Sequence, residues 1–65
     1  METIKVYSPV NDKDIRKNLA DSPIWKDAYH EEDFSQARMK HGELFEYTIK
    51  FENTKPIQVT NVKKV

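Results

Sequence analysis

A chain of 65 residues can enclose one hydrophobic core and no second, because a domain of this size buries only about 60% of the surface its unfolded form exposes. Without cysteine, neither a disulfide nor a thiolate metal site can staple the fold, and with 11 Lys+Arg against 11 Asp+Glu no net field draws the chain to nucleic acid or anionic lipid. No apolar run approaches the ~20 residues that a membrane-spanning helix requires, and aromatic residues at regular spacing predict a folded chain despite its high charge content.

The first predicted element is a strand from Thr3 to Val10, with Ile4, Val6 and Val10 on one side and Lys5 and Tyr7 on the other. It ends at Ser8-Pro9. Asn11 or Asp12 caps a short helix in which Ile15 and Leu19, four apart, form an apolar pair. Asp21-Ser22-Pro23 opens a second helix, with Ser22 as cap and Pro23 in the first turn, where the missing amide hydrogen costs nothing. Trp25, Ala28 and Tyr29 lie on one face of it. Phe34 falls nearly opposite Trp25, so a bend or break is expected between His30 and Asp33. Glu31, Glu32 and Asp33 suit a new helix N-terminus, Arg38, Lys40 and His41 suit its C-terminus, and Gly42 is placed to close it.

The strongest periodicity follows. Phe45, Tyr47, Ile49 and Phe51 alternate with Glu46, Thr48, Lys50 and Glu52, which predicts a strand with its aromatic side on the core and its charged side in water. Asn53-Thr54-Lys55 supplies a three-residue turn, and Pro56 to Val62 returns as a second strand, with Phe51 facing Ile57 and Ile49 facing Val59. Asn61 then falls opposite Tyr47, unless a bulge near Asn61 turns Val62 inward or the register differs by a residue. The expected fold is α+β. Residues 1–65 form one small domain in the order strand-helix-helix(-helix)-strand-strand, with a three-stranded antiparallel sheet and the helices packed on one face.

Catalytic signatures fail on inspection. His30-Glu31-Glu32-Asp33 gathers metal-ligating types, yet the two-histidine zinc pattern needs a second His where Phe34 stands, and a solvated acidic turn accounts for these residues more simply. His41 is accounted for by the helix dipole. Ser8, Ser22 and Ser35 have no glycine elbow, and a single glycine cannot build a phosphate cradle. The expectation is therefore no enzyme, no cofactor, no metal and no small-molecule substrate.

Two binding readings remain. A protein-binding or regulatory module, partnered by another protein or by a second copy of itself, would use Tyr7, Trp25, Tyr29 or Phe34, since Trp and Tyr commonly anchor interfaces; the plainer alternative is that these rings are core. A nucleic-acid reading gathers Arg16, Lys17, Arg38, Lys40, Lys55, Lys63 and Lys64 into one basic patch. The chain would then resemble the core of a winged helix, with 33–41 as recognition helix and the 53–55 hairpin tip as wing, an analogy of topology alone. Zero net charge and the acidic start of that helix weigh against it. In size, in lysine and asparagine content and in lacking a catalytic signature, the chain also resembles accessory proteins of phages, prophages and plasmids, a likeness of style that covers no motif. The N-terminus has no basic segment followed by an apolar run, and a cytoplasmic location is expected.

Overall fold

The computed structural model describes residues 2–65; Met1, counted in the expected 1–65 domain, lies outside the described residues. In chain order it contains β1 (Glu2–Ser8), a 3-10 helix (Pro23–Asp27), β2 (Tyr29–His30), a 3-10 turn (Glu31–Asp33), α1 (Phe34–His41), β3 (Phe45–Glu52) and β4 (Lys55–Lys64). The strands form one antiparallel sheet in the order β2-β1-β3-β4. The architecture is α+β as expected, with four strands in place of three and one α-helix in place of two or three.

β1 lies against β3 along its whole length, placing Val6 opposite Tyr47 and Ile4 opposite Ile49. Alternation then sorts the side chains. On the first face Val6, Tyr47, Ile49 and Val59 are buried with Ile15 and Ile24, and Val10, Leu19, Trp25 and Ala28 close over them. On the second face Tyr7 meets Ala37 and Leu44, flanked by Tyr29, Phe34 and Val65. Residues 9–28 therefore roof one face and α1 roofs part of the other, which corrects the expectation that all helical segments pack on one face. The chain passes from the first face to the second at β2, a two-residue strand on the sheet edge.

The expected helix over Asp12 to Leu19 does not form. Asp14 O accepts from Lys17 N at 2.9 Å and Asn18 N at 3.2 Å, a single turn that goes no further. Side-chain hydrogen bonds compete with the helix here: Asp12 accepts from Asp14 N at 3.0 Å and from the Ser22 hydroxyl at 2.6 Å, tying both ends of the loop together. Tyr47 anchors the same loop from below, donating to Val10 O at 2.5 Å and accepting from Asp12 N at 3.1 Å. Ile15 and Leu19 still point inward, so their spacing marks burial without marking a helix.

Ser22 and Pro23 act as expected at their helix start, with Ser22 Oγ accepting from Ile24 N at 3.3 Å. The helix is 3-10 and only five residues long, and the break comes at Ala28, before the expected His30. Ala28 is extended because Tyr29 must pair with Tyr7 on β1. α1 matches the expected segment, and Gly42, at φ 79, closes it by donating to Arg38 O at 2.7 Å.

The hairpin turns on Asn53 and Thr54, with Glu52 opposite Lys55, so the loop is one residue shorter than expected. Asn53 takes φ 57, a conformation asparagine tolerates better than most side chains. Two bulges adjust β4. Thr60 stands unpaired between Asn61 (opposite Thr48) and Val59 (opposite Ile49), and Ile57 stands unpaired between Gln58 (opposite Lys50) and Pro56 (opposite Phe51). Ile49 thus faces Val59 as expected, Val62 rather than Asn61 faces Tyr47 because of the bulge at Thr60, and Phe51 faces Pro56 in place of Ile57. The Thr60 hydroxyl uses its free position to donate to Thr48 O at 3.2 Å.

Candidate functional site

Among the four aromatic candidates, Tyr7 is the most enclosed. It is 5% exposed, its ring lies 4.6 Å from that of Phe34, and its hydroxyl donates to Glu46 Oε2 at 3.1 Å. Burial, and next the bond to Glu46, push its pKa up to about 12. Glu46 was expected in water on the outer face of the hairpin, but it is buried, opposite Tyr7 on the face that carries the second core. Its other oxygen takes Lys63 Nζ at 3.8 Å. Phe34 is half-buried as the lid of this cluster. Tyr7 thus serves the second core and presents little surface to a partner, and Phe34, half-buried, packs against it.

Tyr29 belongs to a polar clasp. Its hydroxyl lies 3.0 Å from His41 Nε2, and the same nitrogen lies 3.2 Å from Asp27 Oδ2. The Tyr29 hydroxyl is held above the usual tyrosine range, first by hydrogen bonding to Asp27 and then by burial. The trio superficially resembles a proton relay. A relay through imidazole engages its two nitrogens separately, whereas here both partners meet Nε2. The chemistry this geometry supports is attachment: it fastens the end of the 3-10 helix, β2 and the last turn of α1 to one another. Neither Asp27 nor the pairing of Tyr29 with His41 was legible in the sequence, since the three residues meet only once the chain has passed around the sheet edge.

Trp25 is placed differently. Its indole N–H donates to Leu19 O at 2.7 Å, and its ring stands edge-on to Phe51 with centroids 6.1 Å apart. Trp25 and Phe51 are half-buried, and with Ala20, Thr54 and Pro56 they line a largely apolar cleft of about 260 Å³ beside the hairpin turn. A neighbouring hollow at the same turn is lined by Glu52, Asn53, Thr54, Lys55 and Ile57, the last pushed outward by its bulge. Periodicity placed Phe51 in the core and Thr54 and Pro56 in a turn. No local signal showed that the loop over 12–22 stops short of them and leaves the indole at the rim.

The cationic candidates are dispersed. Arg16 and Lys17 lie in the loop that roofs the first face, and Arg38 and Lys40 are exposed on α1, which covers the second. Lys63 and Lys64, near the start of β3, are engaged by Glu46 and Glu43 respectively. Lys55 lies at the hairpin turn, the length of β3 away, about 26 Å for eight residues. The would-be recognition helix and wing tip therefore stand at opposite ends of the hairpin.

Among the described residues, no group of three His, Asp or Glu side chains converges as metal ligands, and no helix is long and apolar enough to cross a membrane. Comparison with known proteins matches no family model, no curated protein and no solved structure.

Proposed function

We propose that the chain is a non-enzymatic protein-binding module, and that it takes an apolar side chain of its partner in the cleft beside Trp25. The observation that carries this reading is the half-buried Trp25–Phe51 pair, open to solvent at the hairpin turn and lined by Ala20 and Pro56. Tryptophan in such a setting offers a large, rigid contact area at low entropic cost, the property that makes it a frequent anchor of interfaces. A nucleic-acid role has weaker support, because the cations are spread over two faces and two ends of the molecule and no net charge concentrates them.

Trp25 is the sole tryptophan, so its emission reports on the cleft. Ala20 is exposed at the rim, and Ala20→Arg inserts a charge there without touching the core. Affinity capture from the source cells, followed by titration of the captured protein against both forms, tests the reading. The expected result is a blue shift of Trp25 emission on binding and an affinity about tenfold weaker for Ala20→Arg. A partner that binds both forms equally and leaves the emission unchanged contradicts the cleft, and failure to retain any partner contradicts the module.

A further inference from the structure

The two edges of β1 differ. One is paired with β3 throughout, from Glu2 opposite Phe51 to Ser8 opposite Phe45. The other is paired only at Val6 and Tyr7, by His30 and Tyr29 of β2, with the turn Glu31–Asp33 lying close by. After His30 the chain leaves the sheet for the turn Glu31–Asp33, so no described strand lies beside Glu2–Lys5 on that side. Backbone groups alternate in direction along a strand, and two of these four residues turn an N–H and a C=O toward the gap. The gap is about 13 Å long, room for four residues of added strand.

This edge is also shaped and charged. A cleft of about 400 Å³ opens along it, lined by Thr3, Ile4 and Lys5 on one side and by His30, Glu31 and Glu32 on the other. Ile4 is half-buried and supplies an apolar contact, whereas Glu31 and Glu32 are exposed and have no ion-pair partner among the described residues. The opposite edge of the sheet is guarded. β4 carries two bulges, a proline without an amide hydrogen, and Lys55, Lys63 and Lys64, all features that discourage strand addition. Glu2–Lys5 has neither bulge nor proline and carries one lysine, Lys5, against the two carboxylates Glu31 and Glu32 across the cleft.

We infer that the open edge of β1 receives an extended basic segment of a partner protein as an added strand in line with β2, its Lys or Arg side chains meeting Glu31 and Glu32. Main-chain hydrogen bonds supply the attachment, and the two carboxylates select the charge. This surface belongs to the protein-binding reading proposed above but not to the Trp25 cleft, so either can fail alone.

The test is a heteronuclear NMR titration of the whole chain with three blocked hexapeptides: alternating lysine and valine, alternating glutamate and valine, and the lysine peptide with every second backbone amide N-methylated. The lysine peptide is expected to shift Thr3, Ile4, Lys5, Glu31 and Glu32. N-methylation should abolish the effect, and the glutamate peptide should produce none. Glu31→Lys combined with Glu32→Lys, both at exposed positions, should weaken binding by about tenfold, while Ala20→Arg should leave it unchanged. Shifts centred on Gln58 to Lys64, equal binding of the glutamate or N-methylated peptide, or no binding at all would overturn the assignment. So would a dimer of the free chain in sedimentation with the Thr3–Lys5 amides already protected, since the occupant would then be a second copy. If the peptides fail while a captured partner still reads out through Trp25, the slot falls and the cleft stands; if they bind and the Ala20 test fails, the slot stands and the cleft falls.

Discussion

The contact between Tyr7 and Glu46 shows how one residue's setting is decided by another far along the chain. A carboxylate on the outer side of a hairpin is ordinarily solvated; here it is buried beside the second core, and the phenol and Lys63 take the place of water. Removing the phenol hydroxyl leaves the buried carboxylate with Lys63 as its remaining partner, so Tyr7→Phe should lower stability at neutral pH by about 1–2 kcal/mol. The pH dependence follows from linkage. The folded pKa of about 12 lies above the ordinary value of 10.0, so the protonated phenol is favoured by folding. Its contribution is complete below about pH 10 and is lost as pH rises through about 12, by roughly 2 kcal/mol at pH 12. Denaturant unfolding at pH 9 and at pH 12 should show that loss in the parent chain, and a correspondingly shallower decline in Tyr7→Phe.

At the scale of elements, β4 shows why alternation is a reliable guide to strands and an incomplete guide to faces. Each bulge inserts a residue that reverses the count, so Ile57, expected on the core face, is 42% exposed, whereas Ile49 on the regular part of β3 is 0% exposed. Ile57→Lys should therefore change stability by no more than about 0.5 kcal/mol, whereas Ile49→Ala should cost about 2–5 kcal/mol. Equal losses in urea unfolding would contradict the register. The β3–β4 hairpin, α1 with its closing Gly42, and the cap at Ser22 were legible because their causes are local: side-chain period, capping chemistry and a left-handed position. The loop over 12–22 was not. Its Ile15–Leu19 spacing is helical, but the bonds that decide its course come from Ser22 and Tyr47, ten and thirty-five residues from Asp12. The same limit hid the Trp25 cleft, which exists only because that loop ends where it does.

For the whole molecule, the decisive feature is the placement of the N-terminal strand. β1 lies in the interior of the sheet, and because its side chains alternate, both faces acquire an apolar set that needs cover: Ile4 and Val6 on one side, Tyr7 on the other. Residues 9–28 cover the first, the chain crosses the edge at β2, and α1 covers part of the second. The sequence left this pairing open, since β1 could as well have lain beside the last strand. A two-residue β2 offers almost no periodicity by which to recognise it. Its brevity has a further consequence, for a full-length β2 would close the edge that the proposed strand addition uses.

Cross-strand NOEs together with amide exchange on the free chain test this placement most directly. NOEs linking Val6 with Tyr47 and Ile4 with Ile49 are expected, with slow exchange for amides of β1 directed at β3 and fast exchange for outward amides between Glu2 and Lys5. NOEs from β1 to β4, with β3 on the outside of the sheet, would contradict it.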